Sequence, residues 1–482
     1  MHTKNTRMRT ILPFIVALIT ITLFSKCSLH CDTCGKEERD PCKAEQKKIR
    51  QLKEKIKHVV VIYQENWSFD GLYGSFPGAN NRSNANTYQV DKNGNLLDTV
   101  KYPMVEIYPG GKPLWIVDTS FKNLDPDKKS LPLAAKPYDL INYNIRPDVE
   151  TGDITHRFYT EQLQIDNGKM DKFAAYSENP GLVQSYFDAT NMPEGKLAQQ
   201  YTLCDNFFHS AFGGSFLNHI WLIAAATPVW KNAPDEFVCK VADTELYGYD
   251  NKVTTDGYAV NTVYSVNTPH GKDDYYLPNQ TMPTIGDRLN DQEITWAWYS
   301  GGWNDAIAGH PDAAYFQYHH QPFVYFENFK DGTENKKNHL KDETDFFADI
   351  KSENLPQVCF IKALGINNEH PGYANLERGQ KHVDSLVKLI MNSKYSDDCV
   401  IIIAYDEHGG RWDHVPSPKI DRWGPGSRVP CIIISKYARK NFIDHTQYET
   451  VSILKFIETL HGLKPLSSRD SAANGLMNAF QF

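Results

Sequence analysis

The chain has 482 residues, of which 41% are hydrophobic and 23% charged, and a formal net charge of -8. These values suit a folded chain with a large core and exclude wholesale disorder. The acidic balance excludes nucleic acid as a partner, because binding a phosphate backbone needs a basic face, but it leaves small anionic ligands open.

The first element in chain order is a targeting segment. Residues 1–10, "MHTKNTRMRT", are basic, and residues 11–24, "ILPFIVALITITLF", form an apolar run of 14 residues, short for a membrane span. We expect a signal peptide over 1–26 and a cysteine-containing tether over 27–45, hence export to the periplasm, a membrane-anchored lipoprotein or secretion. Cys27 is a candidate for lipid modification, although Lys26 before it fits a lipobox poorly; an uncleaved anchor is the alternative. Of nine cysteines, Cys27, Cys31, Cys34 and Cys42 crowd this tether. Local disulfides are expected there rather than a zinc site, because no second ligand pair stands at finger spacing. Cys359, Cys399 and Cys431 lie in apolar runs and read as small buried hydrophobes, and Cys204 and Cys239 are candidates to pair.

Residues 43–56 read as a charged helix. Strands are expected at 57–63, 294–299, 356–361, 399–404 and 429–434, each short and continuously apolar. Helices are expected at 374–393 and 448–462. Buried strands alternating with amphipathic helices predict an α/β fold, with a mainly parallel sheet covered on both faces. Stretches 77–150 and 228–280 are rich in Pro, Asn, Gly, Asp and Tyr and read as long insertions over one end of the sheet. No linker divides the chain, so 46–482 is expected to be a single domain.

In such sheets ligands bind at the C-terminal strand ends. "HVVVIYQENWSFDGLYG" leaves its strand through Glu65 and Asn66, and "CVIIIAYDEHGGRWDH" leaves its strand through Asp406 and Glu407. Several carboxylates near a core are costly without a partner, and a divalent cation is the usual one. Capping of the turn and pairing with Arg411 is the alternative for Asp406 and Glu407. "AFGGSFLNHIWLIAA" places Ser215 after two glycines at the start of an apolar helix. A hydroxyl there can attack an electrophile, with the helix N-terminus favouring the anion that forms; the plain alternative is that Ser215 is an N-cap. His156, His319, His320 and His370 sit in polar, turn-like contexts, where imidazoles can hold anionic oxygens or pass a proton.

Six ordered blocks, "YQENWSFDGLYG", "GKMDKF", "YTLCDNFFHSAFGGSFLNH", "NNEHPGY", "YDEHGGRWDHVPSP" and "GPGSRVPCIIIS", resemble the bacterial phosphoesterase family over about residues 57–463. That family contains non-haemolytic phospholipases C and exported metal-dependent acid phosphatases. The resemblance implies an alkaline-phosphatase-like fold and one divalent metal ion (calcium, magnesium, manganese or zinc). It implies Glu65, Asn66, Ser215, Asp406 and Glu407 as metal ligands and Ser215 as nucleophile. His156, His320 and His370 would line the phosphate pocket, with His370 as general acid, and Asn218 and His319 would bind substrate.

Phospholipase members commonly carry Arg at the place of Trp67, Asn at that of His408 and Thr at that of Ser215. They also extend into C-terminal β-rich modules, whereas this chain stops shortly after its last predicted helix. These departures lean toward the acid-phosphatase branch, acting on phosphomonoesters through a phosphoserine. A phospholipase C-type phosphodiesterase acting on phospholipid head groups is the alternative. A non-catalytic surface lipoprotein that binds a phosphorylated ligand is a second one. A sulfatase is disfavoured because "GGSFLNH" lacks the Pro and Arg its modified nucleophile requires. Partners are expected to be a small phosphate ester or a lipid head group, with membrane contact only through the N-terminal anchor.

Overall fold

The computed structural model describes residues 41–482 except 104, 108–112, 117–129, 144, 240–251 and 313–314. The signal peptide, Cys27, Cys31 and Cys34 lie outside the described residues. Eight strands form the central sheet: β1 (His58–Gln64), β2 (Thr202–Cys204), β3 (Trp296–Ser300), β4 (Leu340–Asp342), β5 (Val358–Lys362), β6 (Cys399–Tyr405), β7 (Cys431–Ser435) and β8 (Phe442–Asp444). Their order is β4–β3–β5–β1–β6–β7–β2–β8. All adjacent pairs are parallel except the two that β7 makes, with β6 and with β2.

The expected α/β class and mainly parallel sheet are therefore present. The five predicted strands form with ends shifted by one or two residues, while β2, β4 and β8, three residues each, carried too short an apolar run to be read. Every residue of β5 and β6 is buried, so both faces of the sheet are covered, which is why these strands read as continuous rather than alternating.

The helices used below are α1 (Pro41–Lys55), α2 (Phe158–Ile165), α3 (Ser215–Ala224), α4 (Leu376–Met391) and α5 (Thr450–His461). In α4 the buried positions Leu376, Gly379, Val383, Leu386, Val387 and Ile390 recur at helical spacing, and the Asn375 side chain caps the Arg378 N–H. α3 is buried at all ten positions and packs on α5. Contacts divide the chain at Glu45, and residues 46–482 form one compact unit. Among the described residues no helix is long and apolar enough to cross a membrane.

The Pro- and Gly-rich stretch before α2 contains small paired strands, such as Gln89–Val90 with Leu96–Leu97 and Thr99–Pro103 with Ser130–Ala134. Cys204 and Cys239 remain thiols rather than a disulfide. Cys204 instead lies opposite Cys431 across the β2–β7 pair. Cys359, Cys399 and Cys431 are buried in strands, as the apolar runs around them predict.

Candidate metal centre and nucleophile

Parallel register aligns the ends of β1 and β6, pairing Gln64 with Tyr405. The next residues of each strand, Glu65–Asn66 and Asp406–Glu407, therefore emerge side by side. Asn66 takes a left-handed φ of 62°, a conformation that asparagine tolerates better than most side chains, and turns the chain off the strand. Gly409, with φ 61°, follows Glu407 closely; a Cβ there would lie 2.3 Å from the Asn66 carbonyl oxygen. Glycine is thus required for the two turns to nest.

Ser215 reaches the same point from α3. The cap of that helix is Gly214, and Ser215 is its first residue, so the hydroxyl is not used as an N-cap. Gly213 has φ 87°, and a Cβ on it would meet the Phe158 backbone nitrogen at 2.5 Å. This tight turn presses the loop that carries Ser215 against the start of α2. Ser215 Oγ lies 3.5 Å from Glu65 Oε2, 3.5 Å from Asn66 Oδ1 and 3.4 Å from Glu407 Oε1. Asp406 adjoins them through its Oδ1, 3.4 Å from the Asn66 N–H.

Glu65, Asp406 and Glu407 are all 0% exposed. Burial works against ionisation of Glu65, but His320 and Lys362 outweigh it and hold its carboxyl well below the usual range. Asp406 and Glu407 are pushed well up, by burial and then by the neighbouring carboxylates. With all three carboxyls ionised, the ammonium of Lys362 would leave two negative charges over, which one divalent cation would cancel. Asp406 Oδ2 is buried with no hydrogen-bond donor among the described residues. A hard oxygen donor set, an orphaned carboxylate oxygen and a matching charge deficit fit a divalent metal ion.

The histidines surround this cluster in different ways. His320 Nε2 is 2.6 Å from Glu65 Oε1, so it acts on a carboxylate of the cluster. His156 Nε2 is 3.4 Å from Glu407 Oε1 and 3.3 Å from Asn66 Nδ2, and its Nδ1 bonds the Ile154 carbonyl at 2.5 Å. His370 Nε2 is 3.9 Å from Glu65 Oε2, and its Nδ1 bonds the Pro371 carbonyl. Backbone bonds at both Nδ1 atoms leave each Nε2 facing the cluster. The His156 and His370 rings meet edge to face, 5.8 Å apart. His319 stands beside His320 with ring centroids 4.7 Å apart. Burial lowers the pKa of His156 and His319 and brings that of His320 to about 4, so these rings are neutral at neutral pH.

Asn218, expected to bind substrate, is placed against the turn before Ser215. It is fully buried, its amide nitrogen bonds the Ala211, Gly213 and Gly214 carbonyls at 3.0, 3.2 and 3.3 Å, and its Oδ1 accepts the Ala211 N–H at 3.1 Å. Its carboxamide staples the turn that carries Ser215. Of the capping alternative, the turn-capping part is present, with Asp406 Oδ1 accepting the Glu407 N–H at 2.8 Å and Glu407 Oε2 the Gly409 N–H at 2.6 Å. Arg411 instead bonds Ser185 Oγ at 2.6 Å and stacks on Trp67. Asp413 and His414 turn away from the cluster into an ion network with Asp70 and Arg428.

Two residues escaped the sequence reading. His219, one helical turn after Ser215, bonds the Ser215 carbonyl through Nδ1 at 2.7 Å and stands 3.7 Å from Asp406 Oδ2. Its i+4 spacing from Ser215 was the available signal. Lys362 ends β5 fully buried, with Nζ 2.5 Å from Glu65 Oε1. A lysine closing an apolar strand at the sheet's ligand end was the signal there. Replacing Lys362 by methionine leaves Glu65 short of a buried partner, and loss of one member of such a pair costs about 3–5 kcal/mol. Chemical denaturation of Lys362→Met is expected to show that loss.

A family model described as "Phosphoesterase family" matches residues 56–464. Phospholipase C B of Mycobacterium tuberculosis is 23% identical over an alignment covering 89% of this chain and 78% of that protein. Non-hemolytic phospholipase C of Pseudomonas aeruginosa is 21% identical, covering 89% and 57%. Among solved structures, a protein in the alkaline phosphatase superfamily from Vibrio parahaemolyticus is similar with a TM-score of 0.33 and 11% identity, covering 58% of this chain and 65% of that one.

Proposed function

Because the chain belongs to the Phosphoesterase family and is thereby a hydrolase of phosphoester bonds, we propose that it is an exported, metal-dependent acid phosphatase that cleaves phosphomonoesters with Ser215 as nucleophile. The observation that carries this reading is the approach of Ser215 Oγ to within 3.4–3.5 Å of Glu65, Asn66 and Glu407 at a helix N-terminus. Export rests on the basic and apolar segment at the start of the chain.

Glu65, Asn66, Asp406, Glu407 and Ser215 would hold the metal. When bound, it supplies Lewis-acid charge for the phosphoryl group and lowers the pKa of the serine hydroxyl. The first-turn N–H groups of α3 add donors at the same place. Ser215 attacks phosphorus in line, giving a phosphoserine and the departing alcohol. His370 protonates that alcohol from Nε2, its Nδ1–H being held by the Pro371 carbonyl. His156 and His319 line the pocket beside the remaining phosphoryl oxygens. Water then cleaves the phosphoserine, and inorganic phosphate leaves.

The names of the relatives favour a second reading, a phosphodiesterase of phospholipase C type acting on lipid head groups. Assay of p-nitrophenyl phosphate against p-nitrophenylphosphorylcholine from pH 4 to 9 separates the two. The monoesterase reading expects the first substrate to turn over at least about tenfold faster, a preference of roughly 1.4 kcal/mol at the transition state. A reversed ratio overturns it.

A further inference from the structure

Behind the nucleophile turn lies another cluster, made of Glu161 on α2, His209 after the short strand Phe207–Phe208, and His408 after β6. All three residues are 0% exposed. His209 Nε2 is 2.9 Å and His408 Nε2 is 3.4 Å from the same oxygen, Glu161 Oε1. The two rings are stacked, 5.4 Å apart and 11° from parallel. Each ring is fixed by a backbone carbonyl at its other nitrogen: His209 Nδ1 bonds Ala211 O at 2.7 Å and His408 Nδ1 bonds Arg411 O at 3.1 Å. An imidazole that donates from Nδ1 carries a bare lone pair at Nε2, which is the tautomer of a metal-ligating histidine.

Three lone-pair atoms thus face one point. Ser427 supplies the donors there, its N–H shared between Glu161 Oε1 at 2.8 Å and His209 Nε2 at 2.9 Å, and its hydroxyl bonding Glu161 Oε1 at 3.0 Å. His408 Nε2, fully buried and aimed into the cluster, has no hydrogen-bond donor among the described residues. Gly426 keeps the adjoining side clear, since a Cβ there would lie 2.4 Å from His209 Nε2 and 2.6 Å from Glu161 Oε1.

We propose that Glu161, His209 and His408 form a second metal site, structural in role, that takes a zinc-class dication. Two imidazoles and a carboxylate are the donor set such an ion prefers, with the Ser427 hydroxyl available as a fourth ligand. The site differs chemically from the all-oxygen cluster at Ser215. Its role follows from the other oxygen of Glu161, which accepts the Gly213 N–H at 2.6 Å. A metal holding Glu161 and His408 ties the nucleophile turn to the end of β6 from behind, without touching substrate.

The test is metal content and ligand environment in the full chain, purified without chelator and dialysed against zinc. Wild type is expected to hold two equivalents. His408→Gln is expected to lose one of them, while Asp406→Asn keeps the histidine-bound one. X-ray absorption at the zinc edge of Asp406→Asn should show two imidazole nitrogens at about 2.0–2.1 Å. That measurement stands even where His408→Gln fails to fold. The proposal is overturned if Asp406→Asn holds no zinc, the cluster then sharing a proton, or if its zinc shows oxygen ligands only. Equal zinc content in folded His408→Gln and wild type overturns it as well. Retention of both ions by Asp406→Asn counts instead against the catalytic metal proposed above and leaves this site standing.

Discussion

Ser215→Ala is expected to abolish release of inorganic phosphate, with a fall of at least about 10³-fold in kcat/KM, or roughly 4 kcal/mol of transition-state stabilisation. The side chain is small and sits at the first position of α3, where alanine continues the helix, so the variant should fold and keep its thermal midpoint. Glu65, Asn66, Asp406 and Glu407 remain, so four of the five proposed metal ligands are kept and the metal should still bind. Rapid-quench experiments on wild type with a good leaving group should show a burst of alcohol and a phosphoserine at residue 215. Turnover by Ser215→Ala within a few-fold of wild type would remove the covalent route.

Asp406→Asn is expected to lower metal affinity by more than about 10²-fold, beyond what the loss of a supporting hydrogen bond to a metal ligand costs, and to take the activity with it. The same carboxyl governs a pH dependence. Burial and the charge of Glu65 raise the Asp406 pKa, so the metal-free folded state prefers the protonated acid. A raised acid pKa gives a contribution to folding that is present at low pH and is lost as pH rises past the unfolded value toward the folded one. Metal-free wild type should therefore lose stability as pH rises through that range, and added metal should restore it while displacing the proton. Asp406→Asn should lose Asp406's part of the pH slope and of the proton release, leaving Glu407's. Calorimetry in buffers of different ionisation enthalpy reads that release, and full activity without bound metal would end the account.

The legibility of the site differed from residue to residue. Glu65, Asn66, Asp406 and Glu407 were visible because polar side chains at the end of buried strands have few reasons to be there. Ser215 was visible through its two glycines, one of which the structure shows to need a positive φ. The stapling role of Asn218 was not legible, since its position three residues after Ser215 says nothing of where a carboxamide points. Its bonds to three carbonyls of the turn depend on how that turn closes. Lys362 and His219 went unread because each looks ordinary in its own stretch. Their meaning comes from Glu65 and Asp406, which are remote in the chain. The Glu161, His209 and His408 cluster was hidden for the same reason, being assembled from three segments that sequence spacing does not relate.

The amino-acid sequence by itself determined the α/β class, the core strands and the order of the polar blocks that follow them, because hydrophobic periodicity and glycine placement are local properties of a chain. Tertiary structure alone decided that β1 and β6 are parallel neighbours in register, and with it the meeting of Glu65 with Asp406. It also decided the pairing of Lys362 with Glu65 and the convergence of two histidines on Glu161. Those are contacts between segments up to several hundred residues apart. Their geometry is set by packing the whole sheet, and burial there gives each charge a neighbour that no local pattern names.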